Sequence, residues 1–295
     1  MEHLDQIQRA IDFIETNLGN DISIDDIARE AAFSRWHFQI VFSSAVGETV
    51  KEYIRKRRLS NSLNLLKLTD QRLIDISLKA GFESQEAYTR AFKNQFGITP
   101  GEYRKNGAKD YMILQKTKIT MDYLDHLYGG INMQAIFKTL PQFEVVGLGT
   151  KFISILSPEK NNHIIIPKLW DEYLSRQNEI TSRTKSYNLG VCMPVSNDMQ
   201  KSHPDEFFYL ACTEVKNINQ VPQGMFAKTI PAGEYAIFTH KGLLSKLDHT
   251  MNYIYGSWLP KSGRKLREAP DLELYDHRFS PNNEQSEFDI YIPII

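Results

Sequence analysis

A helical stretch near the amino terminus carries side chains suited to binding another molecule. In residues 34–47, SRWHFQIVFSSAVG, apolar side chains recur at the i, i+3, i+4, i+7 spacing of an amphipathic helix with one buried face. The opposite face then carries Trp36, Gln39 and Ile40. A tryptophan exposed beside an isoleucine forms an apolar patch, and such a patch indicates a binding partner. The predicted chemistry is recognition of another surface.

The spacing that metal or nucleophile chemistry requires is not found. The eight histidines are scattered, without CxxC or HExxH spacing, so no metal site is predicted. Cys192 and Cys212 lie in stretches typical of strands, where reduced core thiols are expected. A nucleophile motif such as GxSxG is absent. We therefore expect a binding protein without a cofactor rather than an enzyme.

Composition is typical of a folded protein with about two domains. The 295 residues are 41% hydrophobic and 24% charged, with a net charge of -1. No stretch approaches the roughly 20 apolar residues of a membrane span, and the acidic start is unlike a secretory leader, so a cytoplasmic location is expected. Five basic residues nevertheless fall within KEYIRKRR, residues 51–58. This local basic charge is compatible with a nucleic-acid partner.

The first hundred residues contain an internal repeat. Residues 24–56 align with residues 73–105 when a one-residue gap is placed after Phe33 in the first copy. Each copy has the pattern of a short helix, a tight turn and a longer helix that ends at a glycine. This is the layout of a helix-turn-helix, whose second helix, the recognition helix, enters the DNA major groove. The two units are assigned to about residues 22–47 and 72–97.

A connector free of glycine and proline separates the two units. As a helix over residues 49–69 it would be about 31 Å long at 1.5 Å per residue. Successive major grooves on one face of DNA lie about 34 Å apart. One monomer could therefore hold two recognition helices one turn of DNA apart.

Three stretches of this region resemble the DNA-binding domain of the AraC/XylS transcriptional regulators. WHFQIVF, YIRKRRLSNSLNLL and IDISLKAGFESQEAYTRAFKNQFGITPGEYRK carry the likeness, which covers about residues 5–105. The resemblance implies an all-α double helix-turn-helix domain over residues 1–106. It also implies that base-reading side chains lie at Trp36, Gln39, Ile40, Gln85, Glu86, Thr89 and Arg90.

Two of these positions depart from the pattern of similar regulators. Ile40 replaces an arginine that reads guanine, and Glu86 replaces a glutamine. Loss of one bidentate contact removes about 1 to 3 kcal/mol of base discrimination. Isoleucine can instead contact a thymine methyl group, and glutamate can accept a hydrogen bond from a cytosine amino group. The target sequence is therefore expected to differ from theirs.

Basic side chains of the domain are candidates for phosphate contacts, which give affinity without sequence information. They are Arg35, Arg55, Arg57, Arg58, Arg90, Lys93 and Arg104, and for each of them a solvated charge on a helix face is the alternative. The full predicted DNA-binding set is Arg35, Trp36, Gln39, Ile40, Ser43, Arg55, Gln85, Glu86, Thr89, Arg90 and Lys93.

The second half changes to a pattern of strands. Residues 107–130, with glycines at both ends, are predicted to be a linker. From Ile131 onward, β-branched and aromatic runs are bounded by turn residues, and the stretches IIIPKLWDEYLSRQ and LSKLDHTMNYIYGSWL are predicted helices. Two β-β-α-β-β halves follow, which predicts an α+β domain with a pseudo-twofold repeat and helices on one side of antiparallel sheet. The fold class is therefore multidomain.

Residues 131–295 resemble the GyrI-like effector-binding domains. IPAGEYAIFTHKG, IYGSWLP, APDLELYD and the terminal DIYIPI carry the likeness, and the order of the two modules is that of Rob-type regulators. In such modules a groove between the halves binds amphipathic molecules, frequently cations, against aromatic rings and a glutamate. The resemblance implies that the glutamate is Glu273. Candidate ring positions, for which core packing is the alternative, are Trp170, Tyr209, Tyr235, Trp258 and Tyr275.

The leading hypothesis is a one-component transcription regulator. A small amphipathic effector or a protein partner would engage the second domain and change what the first does on double-stranded promoter DNA, with RNA polymerase as a further partner and no membrane. One alternative is a GyrI-like hydrolase that opens strained rings with Glu273 and Tyr235 or Tyr209. Another is a second half that serves only as a spacer or for protein contacts. The target DNA, the effector and the sign of regulation stay open.

Overall fold

The structure is a computed structural model of the 295-residue chain. It describes residues 2–106, 119–120, 123–124, 133–154, 159–195 and 206–295. The chain divides into two compact units, Met1–Leu127 and Tyr128–Ile295. The division falls inside the predicted linker, most of which, including its terminal glycines, lies outside the described residues.

The first unit is built from helices joined by short turns. These are α1 (Glu2–Thr16), α2 (Ile24–Glu30), α3 (Arg35–Val46), α4 (Val50–Leu68), α5 (Leu73–Lys79), α6 (Gln85–Phe96) and α7 (Pro100–Asn106). Helices α2 and α3 form one helix-turn-helix, α5 and α6 form the other, and α4 connects them. The predicted all-α double helix-turn-helix fold is confirmed.

Side-chain caps explain where the long helices begin. Ser34, Thr49 and Ser84 precede α3, α4 and α6, and each side chain accepts a hydrogen bond from the backbone N–H three residues later. At α4 the cap is reciprocal, because Glu52 accepts from the Thr49 N–H at 3.1 Å. These caps fix the start of both recognition helices.

The turns of the two helix-turn-helix motifs place different residues in the left-handed backbone region. In the second motif this residue is Gly81, at φ +73°, and in the first motif it is Ala32, at φ +56°. A left-handed conformation costs an L-residue roughly 1–2 kcal/mol, whereas glycine adopts it readily. The turn therefore has the same backbone shape in both helix-turn-helix motifs, and in the first motif this shape costs backbone strain at Ala32.

The second unit is an antiparallel sheet with helices. Its strands lie in the order β1-β6-β8-β7-β3-β4-β2-β5. In chain order the elements are β1 (Ile136–Leu140), β2 (Phe143–Ile153), α8 (Asn162–Arg176), β3 (Asn188–Pro194), β4 (Glu206–Val215), β5 (Phe226–Ile230), β6 (Gly233–Lys241), α9 (Leu247–Tyr253), α10 (Leu259–Ser262), β7 (Asp271–Tyr275) and β8 (Glu287–Ile294). The predicted α+β fold with two β-β-α-β-β halves is confirmed.

The two halves are interlocked at both ends of the sheet and meet at its centre. Strand β1 pairs with β6 of the other half, β5 pairs with β2, and β3 pairs with β7. Each half also ties its helical segment to the first residue of its third strand. Tyr173 Oη bonds Asn188 Oδ1 at 3.0 Å, and Tyr255 Oη bonds Asp271 Oδ2 at 2.6 Å. These matched bonds reflect the pseudo-twofold repeat.

One predicted helix of the second unit is interrupted. The stretch LSKLDHTMNYIYGSWL contains α9, then a π-helical turn over Ile254–Trp258, and α10 follows directly. Pro260 in the first turn of α10 has no N–H to continue the i→i−4 hydrogen bonds, which accounts for the irregularity. In the part of the chain that is described, no helix is long and apolar enough to cross a membrane.

Candidate functional site

The exposed side of α6 gathers the contacts predicted for the second recognition helix. Tyr88 and Phe92 on the opposite side are fully buried and anchor the helix in the core. Four-residue spacing aligns the outward side chains in two rows. One shared groove is lined by Gln85, Glu86, Thr89, Arg90, Lys93 and Asn94. Asn94 was not predicted, although it follows Arg90 by four residues, and this spacing was the available signal.

The outer face of α3 is covered, unlike that of α6. Trp36, Gln39 and Ile40 are 7%, 5% and 7% exposed, and Ser43 is also buried. The expectation that this face is open to solvent is therefore wrong for the conformation described. Its role in contacting DNA stays a prediction.

Described residues beyond α7 lie against α1 and against the end of α3. The Tyr123 hydroxyl donates to the Val46 carbonyl at the end of α3, at 3.2 Å. The Ile119 N–H donates to Gln8 Oε1 on α1, also at 3.2 Å, and Leu124 is fully buried. Periodicity within residues 34–47 reports which face of the helix is apolar, and it carries no information about chain that packs on the other face.

Three predicted phosphate contacts are instead structural. Arg57 forms a bidentate ion pair with Glu15, in which Nε donates to Oε1 at 2.7 Å and Nη2 donates to Oε2 at 2.9 Å. Arg104 donates to the Gln71 carbonyl at 2.6 Å, and Arg58 donates to three backbone carbonyls. Because internal acceptors hold these guanidinium donors, their prediction as phosphate contacts is corrected.

Among the other basic candidates, Arg35 has a side chain that is only 20% exposed, and it pairs with the more exposed carboxylate of Asp25. Arg55, Arg90 and Lys93 are exposed. These four side chains remain the predicted phosphate contacts.

In the second unit, a carboxylate and three aromatic side chains meet beside α8. The Tyr209 hydroxyl donates to Glu273 Oε2 at 2.5 Å, and the Tyr275 hydroxyl donates to the same oxygen at 2.9 Å. Trp170 of α8 donates from Nε1 to the Tyr209 oxygen at 3.3 Å, and its ring lies edge-on to that of Tyr275. We call Glu273, Tyr209, Tyr275 and Trp170 the carboxylate cluster.

The electrostatics of the carboxylate cluster are set by burial. Poor solvation raises the pKa of Glu273, and the two tyrosine hydroxyls oppose this shift in part by donating to the charged form. Burial and the adjacent carboxylate raise the pKa values of Tyr209 and Tyr275 well above their usual range, so both remain donors. Among the described residues no lysine or arginine pairs with Glu273. The cluster is thus a weakly solvated negative site with aromatic walls.

Gly190 leaves the space that this arrangement needs. It lies opposite Glu273 in the β3–β7 pairing. A Cβ atom at this position would stand 2.0 Å from the Tyr209 hydroxyl oxygen and 2.7 Å from Glu273 Oε2. A glycine inside a strand is a signal of such close approach, and YNLGVCMPV contained that signal. Sequence reasoning nevertheless missed this residue.

Two predicted ring positions lie apart from the carboxylate cluster. Tyr235 is fully buried in the main core of the second unit, with its ring edge-on to Tyr291 and beneath the guanidinium of Arg267. Trp258, at the end of the π-helical turn, packs against Phe238 of β6. Tyr235 therefore has a core-packing role, which corrects its assignment as a ligand contact, whereas Trp258 is partly exposed and its ligand role stays a prediction.

The described residues offer no arrangement for a metal ion. No group of three histidine, cysteine or acidic side chains among them could hold one. Cys192 and Cys212 are free thiols in β3 and β4, and burial raises the pKa of both.

The comparison with known families agrees with the two units. The family model of the GyrI-like small molecule binding domain matches residues 133–295, more than half of the chain. The chain belongs to the GyrI-like family. In this GyrI-like protein a helix-turn-helix domain model also matches residues 27–106, and that domain is of the AraC type.

Several known proteins are similar to this GyrI-like protein over most of the chain or over its first domain. It is 27% identical to the transcriptional regulator Rob of Salmonella typhimurium over 278 residues, which are 93% of this chain and 91% of Rob. It is 28% identical to the right origin-binding protein of Escherichia coli K12 over 280 residues, with the same two shares. The transcriptional activator AarP of Providencia stuartii is 40% identical over 111 residues, 37% of this chain and 82% of AarP. The protein is a DNA-binding transcription regulator of the AraC/Rob type.

Proposed function

We propose that the GyrI-like unit binds a small amphipathic cation at the carboxylate cluster and that this binding changes how the AraC-type domain acts at promoters. The observation that carries the proposal is the setting of Glu273. Its carboxylate is held by two tyrosine hydroxyls and has no basic partner among the described residues. A charge in such surroundings is incompletely compensated.

An organic cation fits this site better than an anion or a neutral molecule. The cation would compensate the Glu273 charge and gain about 0.5 to 2 kcal/mol from each aromatic face that it contacts. Trp170, Tyr275 and Glu273 each keep part of their surface exposed, which gives a ligand access, whereas Tyr209 is only 2% exposed and serves to orient the carboxylate.

Titration with tetraphenylphosphonium, a lipophilic cation, tests this proposal. We expect quenching of Trp170 fluorescence on binding and at least about tenfold weaker binding to Glu273→Gln, because one buried charge interaction is lost. Glu284→Gln, which removes an exposed carboxylate, is the matched control and retains full affinity. The neutral triphenylphosphine oxide distinguishes charge from shape.

Equal affinity of the Glu273→Gln variant for tetraphenylphosphonium would overturn the role of the carboxylate. Release of a hydrolysed product from an electrophilic ligand, lost in the same variant, would instead favour hydrolase chemistry. Absence of any small-molecule binding would leave protein contacts as the function of this unit.

On the DNA side, we propose that the outward side chains of α6 contact base edges in one major groove and that α3 reads the adjacent groove once its outer face is uncovered. The open groove along α6 supports the first part, and the repeat of the helix-turn-helix supports the second.

Footprinting on a duplex selected from a random pool tests this arrangement. We expect the full chain to bind as a monomer and to protect two successive major grooves, with affinity that falls steeply with salt. Acrylamide quenching of Trp36 should change on DNA binding, since its surroundings change. Protection of a single groove, or binding only as a dimer, would exclude the paired arrangement.

A further inference from the structure

Arg58, near the middle of the connecting helix α4, contacts both halves of the DNA-binding domain. Its Nε donates to the Leu18 carbonyl at 2.8 Å, and its Nη2 donates to the Asn20 carbonyl at 2.8 Å. Both acceptors lie between α1 and α2, at the entry to the first helix-turn-helix. Its Nη1 donates to the Gly81 carbonyl at 3.1 Å, in the turn of the second helix-turn-helix. One side chain thus joins three separate segments.

The fit of this side chain at the turn is close. A Cβ atom on Gly81 would stand 2.6 Å from Cζ of Arg58, so the guanidinium lies directly against the glycine backbone. Burial lowers the pKa of Arg58, and the nearby carboxylate of Asp21 opposes this shift. The planar guanidinium, with its five donors in fixed directions, can hold several acceptors in one arrangement, which a lysine ammonium cannot reproduce.

Such a joint matters because of the distance between the recognition helices. Each helix-turn-helix packs on a different part of α4, and α4 is about 28 Å long at 1.5 Å per residue. Long helices bend, so contact with α4 alone would allow the two units to tilt relative to each other. The hydrogen bonds of Arg58 link the start of the first helix-turn-helix to the turn of the second, and this link restricts the tilt of one motif relative to the other.

We propose that Arg58 is a positioning residue that fixes the distance and angle between α3 and α6, and so determines the spacing of the two DNA half-sites that the protein accepts. The inference rests on the proposed reading of two adjacent grooves. It differs from a phosphate contact, which would raise affinity equally for every spacing.

Selection from a pool of duplexes with two half-sites at varied separation tests this role. We expect the wild-type chain to enrich one separation at least about tenfold over separations one base pair longer or shorter. Arg58→Met, which keeps the length of the stem and loses the donors, is expected to reduce that preference to about threefold or less while its affinity for an isolated half-site is unchanged. Arg55→Met on the exposed side of α4 is the matched control and should weaken binding at every separation alike.

The outcomes separate the two proposals. If the wild-type chain shows no preferred separation, the reading of two grooves fails, and the role of Arg58 fails with it. If the wild type is selective and Arg58→Met is equally selective, only the role of Arg58 is overturned. Should Arg58→Met fail to fold by circular dichroism, Arg58→Lys retains the charge, and its selectivity should lie between those of wild type and an unselective protein. Wild-type selectivity in a folded Arg58→Lys would then overturn the role.

Discussion

At the scale of single residues, the proposed cation site depends on the hydrogen bonds of Glu273. Both donors to Glu273 come from tyrosines whose own pKa values are raised, so the carboxylate is oriented without being neutralised by a cation of the protein. An ordinary surface glutamate is surrounded by water and gains little from an added organic cation. We therefore expect Glu273 to attract an organic cation more strongly than a surface glutamate does, because of its neighbours.

Cation binding at Glu273 should depend on pH. The pKa of this carboxyl is raised by burial, and a bound cation favours the ionised form. We expect the affinity for tetraphenylphosphonium to rise as the pH rises through the pKa of Glu273, to level off above it, and to be coupled to proton release below it. Fluorescence titrations between about pH 5 and pH 8 measure this, and calorimetry in two buffers counts the proton. If the affinity of Glu273→Gln for the cation still depends on pH, another titratable group causes the pH dependence.

His37 should make the first unit sensitive to acid. Its imidazole lies buried in α3, and burial lowers its pKa to about 4, against 6.5 in the unfolded chain. The unfolded state therefore binds the proton more tightly. The contribution of His37 to the free energy of unfolding is complete above pH 6.5 and falls by up to about 3 kcal/mol as the pH drops towards 4.

Urea unfolding followed by circular dichroism across this pH range checks the contribution of His37. His37→Gln should flatten the dependence on pH, whereas His277→Gln, at a largely exposed histidine, should leave it unchanged. An unaltered slope in His37→Gln would show that other groups cause the acid sensitivity.

At the scale of elements, the two helix-turn-helix turns form a natural matched pair. Ala32 and Gly81 occupy equivalent turns with left-handed backbone, but only glycine suits that conformation. We expect Ala32→Gly to raise the free energy of unfolding by up to about 1 kcal/mol, since strain is removed and some flexibility of the unfolded chain is gained.

The reverse change at the other turn should be the more damaging. Gly81→Ala introduces both the left-handed strain and an overlap with the Arg58 guanidinium, so the free energy of unfolding should fall by at least about 1 to 2 kcal/mol. Thermal and urea unfolding of the two variants compare these values directly. Equal effects of opposite sign would mean that the guanidinium moves away without cost.

At the scale of the whole molecule, the question is how a ligand of the second unit influences DNA binding by the first. Any such influence is a coupling free energy, and it acts equally in both directions. A ligand that binds equally well in the presence and absence of DNA cannot regulate DNA affinity, however tightly it binds.

Coupling between the two units should depend on Glu273. We expect saturating tetraphenylphosphonium to change the affinity for the selected duplex by at least about fivefold, and the duplex to change the affinity for the cation by the same factor. Glu273→Gln should bind DNA normally and lose this response. Fluorescence anisotropy of a labelled duplex, with and without the cation, measures both quantities. A response of the same size in Glu273→Gln would place the cation at another site.

Much of this architecture follows from local patterns in the sequence. The repeat of residues 24–56 at residues 73–105 predicts two helix-turn-helix units because apolar spacing, caps and turns act over a few residues. The strand pattern of the second half predicts two similar halves for the same reason. The ring positions do not follow in this way, because an aromatic side chain in a strand has the same pattern whether it packs in a core, as Tyr235 does, or bonds a carboxylate, as Tyr275 does.

The sequence by itself thus determined the fold class and the two helix-turn-helix units, whereas the ligand role of Glu273, implied by the family resemblance, stays a prediction. Only the tertiary structure decided which surfaces are free. It showed that α3 is covered while α6 is open, that Arg58 is held by backbone carbonyls, and that Gly190 makes room for the pairing of Tyr209 with Glu273. The physical reason is that burial and hydrogen-bond partners depend on segments far apart in the chain, whereas periodicity reports only on neighbours within a few turns.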